Sequence, residues 1–193
     1  MKVEISRSFA LPGSAEAGWA VLQDVEAVAG CMPGAQITQR IHDSHYKGTV
    51  AVKLGPASLS FRGEIEVKAL DAGARSIRLL GRGTDATGTS GASMELAAHI
   101  EAVDGSSSRL VGTSEVSMSG KVATFGARLM GPVADQVLAQ FAGNFAAKVQ
   151  AQAAALPAAA AVAPPAEAKP LNGLALAWAM LREWLHSLFA RRA

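Results

Sequence analysis

Several runs within the first 118 residues alternate between apolar and polar positions, which is typical of β-strands with one buried face. Val3, Ile5 and Phe9, for example, alternate with polar residues, and a Pro-Gly pair then ends the run. Short turn sequences separate the later runs, so consecutive strands are expected to pair as an antiparallel meander. The predicted strands cover residues 3–11, 36–42, 46–54, 59–67, 76–83, 94–101 and 109–118.

Two short helices are predicted after the first strand. Ser14 is a suitable N-cap for a helix over Ala15–Leu22, and Asp24 is suitable for a second helical turn through Val28. Glycine and proline at positions 30–34 then separate this helical segment from the strands that follow.

A long amphipathic helix is predicted over residues 120–152. Apolar residues recur at every fourth position from Phe125 to Val149, which gives the helix one broad apolar face. Pro132 lies inside this helix, and because proline has no backbone N–H, a kink or a restart is expected there. We expect the helix to lie across a curved sheet, with the functional site in the space between them.

Composition shifts at Leu156, and we divide the chain into a domain over 1–152, a linker over 153–170 and a terminal helix over 171–193. The Ala/Pro-rich linker is expected to be extended and semi-rigid. In the terminal helix, tryptophans favour the membrane interface and arginines favour anionic headgroups, so we expect it to lie on a membrane surface. Packing on its own domain, dimerisation and docking to a partner protein remain alternatives. The predicted membrane-binding residues are Leu174, Trp178, Leu181, Trp184, Leu185, Leu188, Phe189, Arg191 and Arg192.

Composition narrows the function classes. The net charge is only +2, and no basic patch with interleaved aromatic residues runs through the strands, so nucleic-acid binding is not expected. The single cysteine, Cys31, excludes an internal disulfide framework and a cysteine-based zinc site. The first residues lack the apolar segment of a signal peptide, and no apolar run is long enough to span a bilayer. These features predict a cytoplasmic protein, associated peripherally with the inner face of the cytoplasmic membrane through its terminal helix.

Residues with catalytic or metal-binding potential form no recognisable set. The four histidines lack the spacing of a metal site, and Asp85 and Glu95 are too isolated for paired-carboxylate chemistry. Cys31 has no histidine near it in sequence and is expected to be a small buried apolar residue. The glycines between 81 and 91 lack the Lys-Ser/Thr ending of a phosphate loop, so they predict a hairpin. We therefore expect no catalytic site and no metal.

An apolar cavity under the long helix is the predicted site, because many inward-facing positions are small, Gly63 and Ala134 among them. Filling of the same space by core side chains remains an alternative for each residue. The predicted ligand-binding residues are Met32, Pro33, Val52, Phe61, Ile65, Leu79, Met94, Leu96, Met118, Phe125, Leu129, Met130, Val133 and Phe141.

Several short motifs in a fixed order resemble the CoxG family of carbon monoxide dehydrogenase subunits, which is part of the START-like superfamily, over residues 1 to about 150. The motifs are VAGCMPGA at Val28–Ala35, Tyr46-x-Gly48, Lys53-Leu54-Gly55-Pro56, Phe61-x-Gly63, Gly81-x-Gly83-x-Asp85-x-x-Gly88 and Gly120-Lys121-x-Ala123-x-Phe125-Gly126-x-Arg128.

The resemblance implies an α+β helix-grip fold, in which a curved antiparallel sheet wraps around a long C-terminal helix. It also implies a non-enzymatic accessory protein of a molybdenum hydroxylase of the carbon monoxide dehydrogenase type. Such a protein is expected to bind a lipophilic small molecule, a quinone above all, and to link the enzyme to the membrane. No covalently bound cofactor is implied. A recruitment or assembly factor without a ligand, or a START-like cyclase or hydrolase, remains an alternative.

Overall fold

The computed structural model describes the backbone of residues 1–54 and 57–155, and the side chains of residues 1–52, 58–124 and 131–155. In this range the chain forms seven strands, two short helices, a 3₁₀ turn and one long helix. The strands are β1 (Lys2–Pro12), β2 (Ala35–His42), β3 (His45–Leu54), β4 (Ala57–Asp71), β5 (Ser76–Asp85), β6 (Ser90–Ala102) and β7 (Ser107–Gly120). The helices are α1 (Ala15–Leu22), α2 (Val25–Ala29) and α3 (Gly126–Ala155), and the 3₁₀ turn is Lys121–Phe125.

The seven strands form one antiparallel sheet in the order β1-β7-β6-β5-β4-β3-β2. Strands β2 to β7 are joined in sequence, as the short turns predict. Strand β1 instead pairs with β7, with Val3 opposite Val116 and Phe9 opposite Leu110. The predicted fold class, a curved antiparallel sheet with a long C-terminal helix, is confirmed.

Both short helices begin at the predicted caps. The Ser14 hydroxyl accepts a hydrogen bond from the Ala17 N–H at 3.3 Å, and the Asp24 carboxylate accepts one from the Ala27 N–H at 3.0 Å. These side chains satisfy backbone donors that have no partner within the first helical turn. The two caps therefore fix the residues at which α1 and α2 begin.

The hydrophobic core lies between α1, the C-terminal half of α3 and one end of the sheet. Phe145 and Val149 of α3 are completely buried, and Phe141 lies beside Phe145 with ring centroids 5.6 Å apart. From the sheet, Ile77 and Ile100 are buried against them. Full burial of such side chains stabilises the fold by about 1.5–3 kcal/mol each, so this cluster contributes a large share of the stability of the domain.

Helix α3 differs from its prediction in two ways. It is helical without interruption from Gly126 through Pro132 to Ala155, so the predicted restart at Pro132 is wrong, while a kink there stays a prediction. The change of conformation comes earlier, where the 3₁₀ turn ends at Phe125. The helix can continue because proline at this position removes a single backbone hydrogen bond. The helix also ends three residues beyond the predicted boundary at 152.

Candidate ligand-binding site

An apolar pocket of about 330 Å³ lies between the inner faces of β2–β7 and helix α3. Its volume lies at the lower end of the range in which proteins bind small organic molecules. Side chains on alternate positions of the strands point into it, as expected for one face of a sheet. The apolar side chains among its described lining are Ala29, Ala35, Ile37, Val50, Val52, Leu59, Phe61, Ile65, Ala92, Met94, Val116, Met118, Val122 and Val133.

A row of glycines forms part of the pocket wall. Gly48 on β3 is opposite Gly63 on β4, and Gly63 is opposite Gly83 on β5. A Cβ atom at Gly48 would lie 2.8 Å from the carbonyl oxygen of Gln36, and one at Gly63 would lie 2.8 Å from the Cα atom of Gly83. At Gly48 and Gly63 the neighbouring strands approach too closely for a side chain unless the backbone shifts, so these glycines permit the bend of the sheet and leave space above it.

Gly81, two residues before Gly83 on β5, is a different kind of pocket residue. A Cβ atom there would meet only the Met94 side chain and backbone, at 3.8 Å or more, which is ordinary van der Waals contact. The absence of a side chain at Gly81 therefore enlarges the pocket without being required by the backbone. Substitution at this position can fill the pocket while the sheet stays in place.

Six of the predicted ligand-binding residues line the pocket: Val52, Phe61, Ile65, Met94, Met118 and Val133. Three others pack in or against the core, because the end of the sheet under α1 is filled with side chains; these are Met32, Leu79 and Phe141. Leu96 is opposite Leu79, one inward-facing pair beyond the Gly81–Met94 pair, and is not part of the described lining. The predicted residues Phe125, Leu129 and Met130 lie outside the described side chains.

Several pocket residues were missed because their role depends on strand pairing. Gly81, Val116 and Val122 line the pocket, although none was singled out from the sequence as ligand-binding. The signal available was the two-residue alternation itself, since Gly81 shares its face with Leu79 and Val116 shares its face with Met118. Pro33 lies in a second cavity, which has a volume of about 370 Å³ and shares Val52 and Val133 with the apolar pocket.

The turn between β5 and β6 fixes one end of the pocket. The carboxylate of Asp85 accepts hydrogen bonds from the Thr87 hydroxyl at 2.6 Å and from the Ser90 N–H at 2.9 Å. The first of these bonds is the largest cause that lowers the pKa of Asp85 below its usual value of 3.8. The buried Ser90 hydroxyl in turn accepts a hydrogen bond from the Val122 N–H, at 3.2 Å. Asp85 thus has a structural role, because it holds the turn that positions Val122 in the pocket wall.

The polar groups near the site do not form a catalytic arrangement within the described residues. The Glu64 side chain is on the outer face of β4, where its carboxylate forms a hydrogen bond of 3.0 Å with Nε2 of His45. The thiol of Cys31 is buried and donates to the carbonyl oxygen of Ala27 at 3.3 Å, and burial raises its pKa, which disfavours the thiolate. Across residues 1–54 and 57–155, no group of three or more His, Cys, Asp and Glu residues is arranged to hold a metal ion.

The predicted linker from residue 156 onward and all nine predicted membrane-binding residues, Leu174 to Arg192, lie outside the described residues. Within the described part of the chain, no helix has the length and hydropathy needed to cross a membrane.

Comparison with known proteins agrees with the resemblance in sequence. Residues 8–150 match the model of the CoxG family of carbon monoxide dehydrogenase subunits. A search of curated proteins returned no match.

Solved structures share the fold at low sequence identity. A conserved protein from Geobacillus kaustophilus is similar over 77% of this chain and 96% of its own, with 21% identity and a TM-score of 0.69. The Zhui aromatase/cyclase from Streptomyces sp. R1128 is similar over 78% of this chain and 94% of its own, with 14% identity and a TM-score of 0.58. A START superfamily protein from Mycobacterium smegmatis is similar over 77% of this chain and 97% of its own, with 18% identity and a TM-score of 0.54. At these identities the likeness shows a START-like fold and nothing about chemistry.

Proposed function

Since the chain belongs to the CoxG family of carbon monoxide dehydrogenase subunits, we propose that it is a non-enzymatic accessory protein of a molybdenum hydroxylase of the carbon monoxide dehydrogenase type. Its role is to bind a lipophilic molecule, a quinone, in the apolar pocket and to link the enzyme to the cytoplasmic membrane. Electrons from the enzyme then reach the membrane quinone pool through the bound molecule.

The apolar pocket is the observation that carries this proposal. Its described side chains are overwhelmingly apolar, and no acid–base pair of the described residues points into it. Burying apolar surface of a ligand there contributes about 25 cal/mol per Å². Met94 and Met118 add flexible, polarisable side chains that adapt to an irregular ligand. These features suit retention of a hydrophobic molecule better than chemical turnover.

The link to the membrane rests on the sequence of residues 171–193. Leu174, Trp178, Leu181, Leu185 and Leu188 recur at steps of four and three, a spacing that puts them on one face of a helix, and two arginines follow near the end. Each of these arginines contributes about 1 kcal/mol at an anionic surface. Together with the apolar face, this supports an interfacial helix that holds the domain close to the source of quinone.

The ligand is tested by extraction with organic solvent. The full chain, purified from cells that contain quinones, is extracted and the extract is analysed by mass spectrometry. We expect the extract to contain quinone in an amount that is a substantial molar fraction of the protein. The variant Gly81→Val fills the pocket and should retain several-fold less.

The variant Gly112→Val is the matched control for Gly81→Val. Gly112 is also an inward-facing strand glycine, and a Cβ atom there would have its nearest neighbours at 3.9 Å, but it is not part of the described pocket lining. Retention should therefore be unchanged. Absence of any quinone or other lipid from the wild-type extract would refute the carrier function.

Deletion of residues 171–193 tests the membrane link separately. The truncated protein and its partner enzyme should both move from the membrane fraction to the soluble fraction. If the distribution of both is unchanged, the terminal helix is not the anchor. If the partner is released but the wild-type extract contains no lipid, the protein acts in recruitment alone.

A further inference from the structure

The second cavity, which we name the vestibule, opens directly beside the apolar pocket. It lies between the Pro33-Gly34 loop, strand β3 and helix α3, and the two cavities share Val52 and Val133. The two cavities are therefore adjacent, and Val52 and Val133 form the boundary between them. The volume of the vestibule, about 370 Å³, is similar to that of the apolar pocket.

One wall of the vestibule is held firmly by the backbone. The Ala51 N–H donates a hydrogen bond to the carbonyl oxygen of Gly34 at 2.8 Å, which ties the loop to β3. Gly34 has a φ of +78°, and a Cβ atom there would overlap the carbonyl oxygen of Ala51. Only glycine permits this close approach. The loop wall of the vestibule is consequently a preformed surface.

The opposite wall is a face of α3 that changes from apolar to polar. Val133, Gln136, Val137 and Gln140 are spaced by three and four residues, so they lie on one side of the helix. Within the described residues, the side-chain hydrogen bonds of α3 involve Asp135 and Asn144, which leaves the carboxamides of Gln136 and Gln140 available. Each carboxamide has two N–H donors.

We propose that the vestibule binds the uncharged, carbonyl-bearing head of an amphiphilic ligand, with Gln136 and Gln140 donating hydrogen bonds to it. The apolar part of the same ligand lies in the apolar pocket. This inference rests on the proposed function and specifies the polar contacts of that site. Carboxamide donors suit a neutral acceptor such as a quinone carbonyl. Gln136 and Gln140 are exposed at the vestibule, and its described lining contains no charged side chain that would pair with a charged head.

The test uses two synthetic probes of the same shape. One is a 1,4-benzoquinone with a decyl chain, and the other is the hydrocarbon in which methyl groups replace both carbonyl oxygens. Affinities of the full chain are measured by isothermal titration calorimetry. We expect the double variant Gln136→Leu/Gln140→Leu to lower the affinity for the quinone by about tenfold, since each neutral hydrogen bond contributes modestly to binding. Affinity for the hydrocarbon should stay the same or rise.

The control variant is Gln150→Leu, which removes an exposed glutamine of α3 outside both cavities and should change neither affinity. An unchanged quinone affinity in the double variant, or an equal loss for both probes, would overturn the head-binding site. Gly81→Val should weaken both probes, which reports the apolar pocket independently. Failure of the wild-type chain to bind either probe would refute the proposed function together with this inference.

Discussion

Adding a single methyl group at each of three glycines on β4 and β5 should have graded effects on stability. Gly63, Gly83 and Gly81 lie within the pocket wall on β4 and β5, but the space around them differs. Replacing each by alanine adds the same atom at three levels of crowding. The order of stability among the three variants therefore tests the geometry of the sheet.

The expected magnitudes follow from the distances to the added Cβ atom. At Gly63 it would overlap the carbonyl oxygen of Arg82 and lie 2.8 Å from the Cα atom of Gly83. Carbon atoms in contact are about 3.5–4.0 Å apart, so the strands must separate, and we expect a loss of about 3 kcal/mol. At Gly83 the nearest atom is 3.1 Å away, and a loss of about 1 kcal/mol is expected. At Gly81 the nearest atom is 3.8 Å away. Gly81→Ala should therefore raise the free energy of unfolding by about 0.4–1 kcal/mol, because alanine restricts the conformations of the unfolded chain.

Urea unfolding followed by far-UV circular dichroism measures these differences, provided that the slope of the transition is the same in all variants. Gly112→Ala is a control, because a Cβ atom there meets nothing closer than 3.9 Å. A Gly63→Ala variant within about 0.5 kcal/mol of wild type, a change typical of unconstrained surface positions, would contradict the close approach of β4 and β5. So would a Gly81→Ala variant less stable than Gly83→Ala.

Three further predictions concern the core, a turn and the outer face of the sheet. Phe145→Ala removes a completely buried ring and should lower the free energy of unfolding by about 3–5 kcal/mol, measurable by urea titration; a loss typical of a surface residue would contradict the core position of α3. Asp104 accepts a 2.6 Å hydrogen bond from Ser107, the largest cause that holds the pKa of this carboxyl at about 2 against a usual 3.8. Because the folded-state pKa is the lower one, its stabilisation is present above pH 3.8 and lost as the pH falls towards 2, so Asp104→Asn should remove that part of the acid dependence of thermal unfolding. On the outer face, Lys2 binds Glu115 at 2.7 Å and also interacts with Glu95, which is directly opposite Glu115; both carboxylates raise the pKa of Lys2. Lys2→Met should therefore lower the thermal stability slightly in low salt and leave it unchanged in high salt.

Local features of this fold were predictable from sequence because their causes are local. The caps at Ser14 and Asp24 act on residues three positions away, and both helices begin where those caps predict. The strand alternation also placed Phe61, Met94 and Met118 on the face that lines the pocket. Each of these inferences needs only the period of the element to which the residue belongs.

The remaining features depend on which residues are brought opposite each other. Gly48 and Gly83 are 35 positions apart, and they join one row only because both strands pair with β4 in a particular register. Leu79 has the right period for the pocket but lies where the space is filled by the core. Gln136 was not singled out, since its relation to the Pro33-Gly34 loop arises from tertiary packing.

The uneven burial of α3 has a consequence for the dynamics of the helix. Phe141, Phe145 and Val149 are buried, whereas residues 131–140 include no buried side chain. Amide protons of residues 141–149 should exchange with solvent only through global unfolding. Those of residues 131–140 should exchange through local opening, which needs a much smaller free energy. If the pocket holds the proposed ligand, local opening of residues 131–140 gives it a route between α3 and the sheet while the buried half of the helix stays in place, so that loading and release need not compete with the stability of the domain.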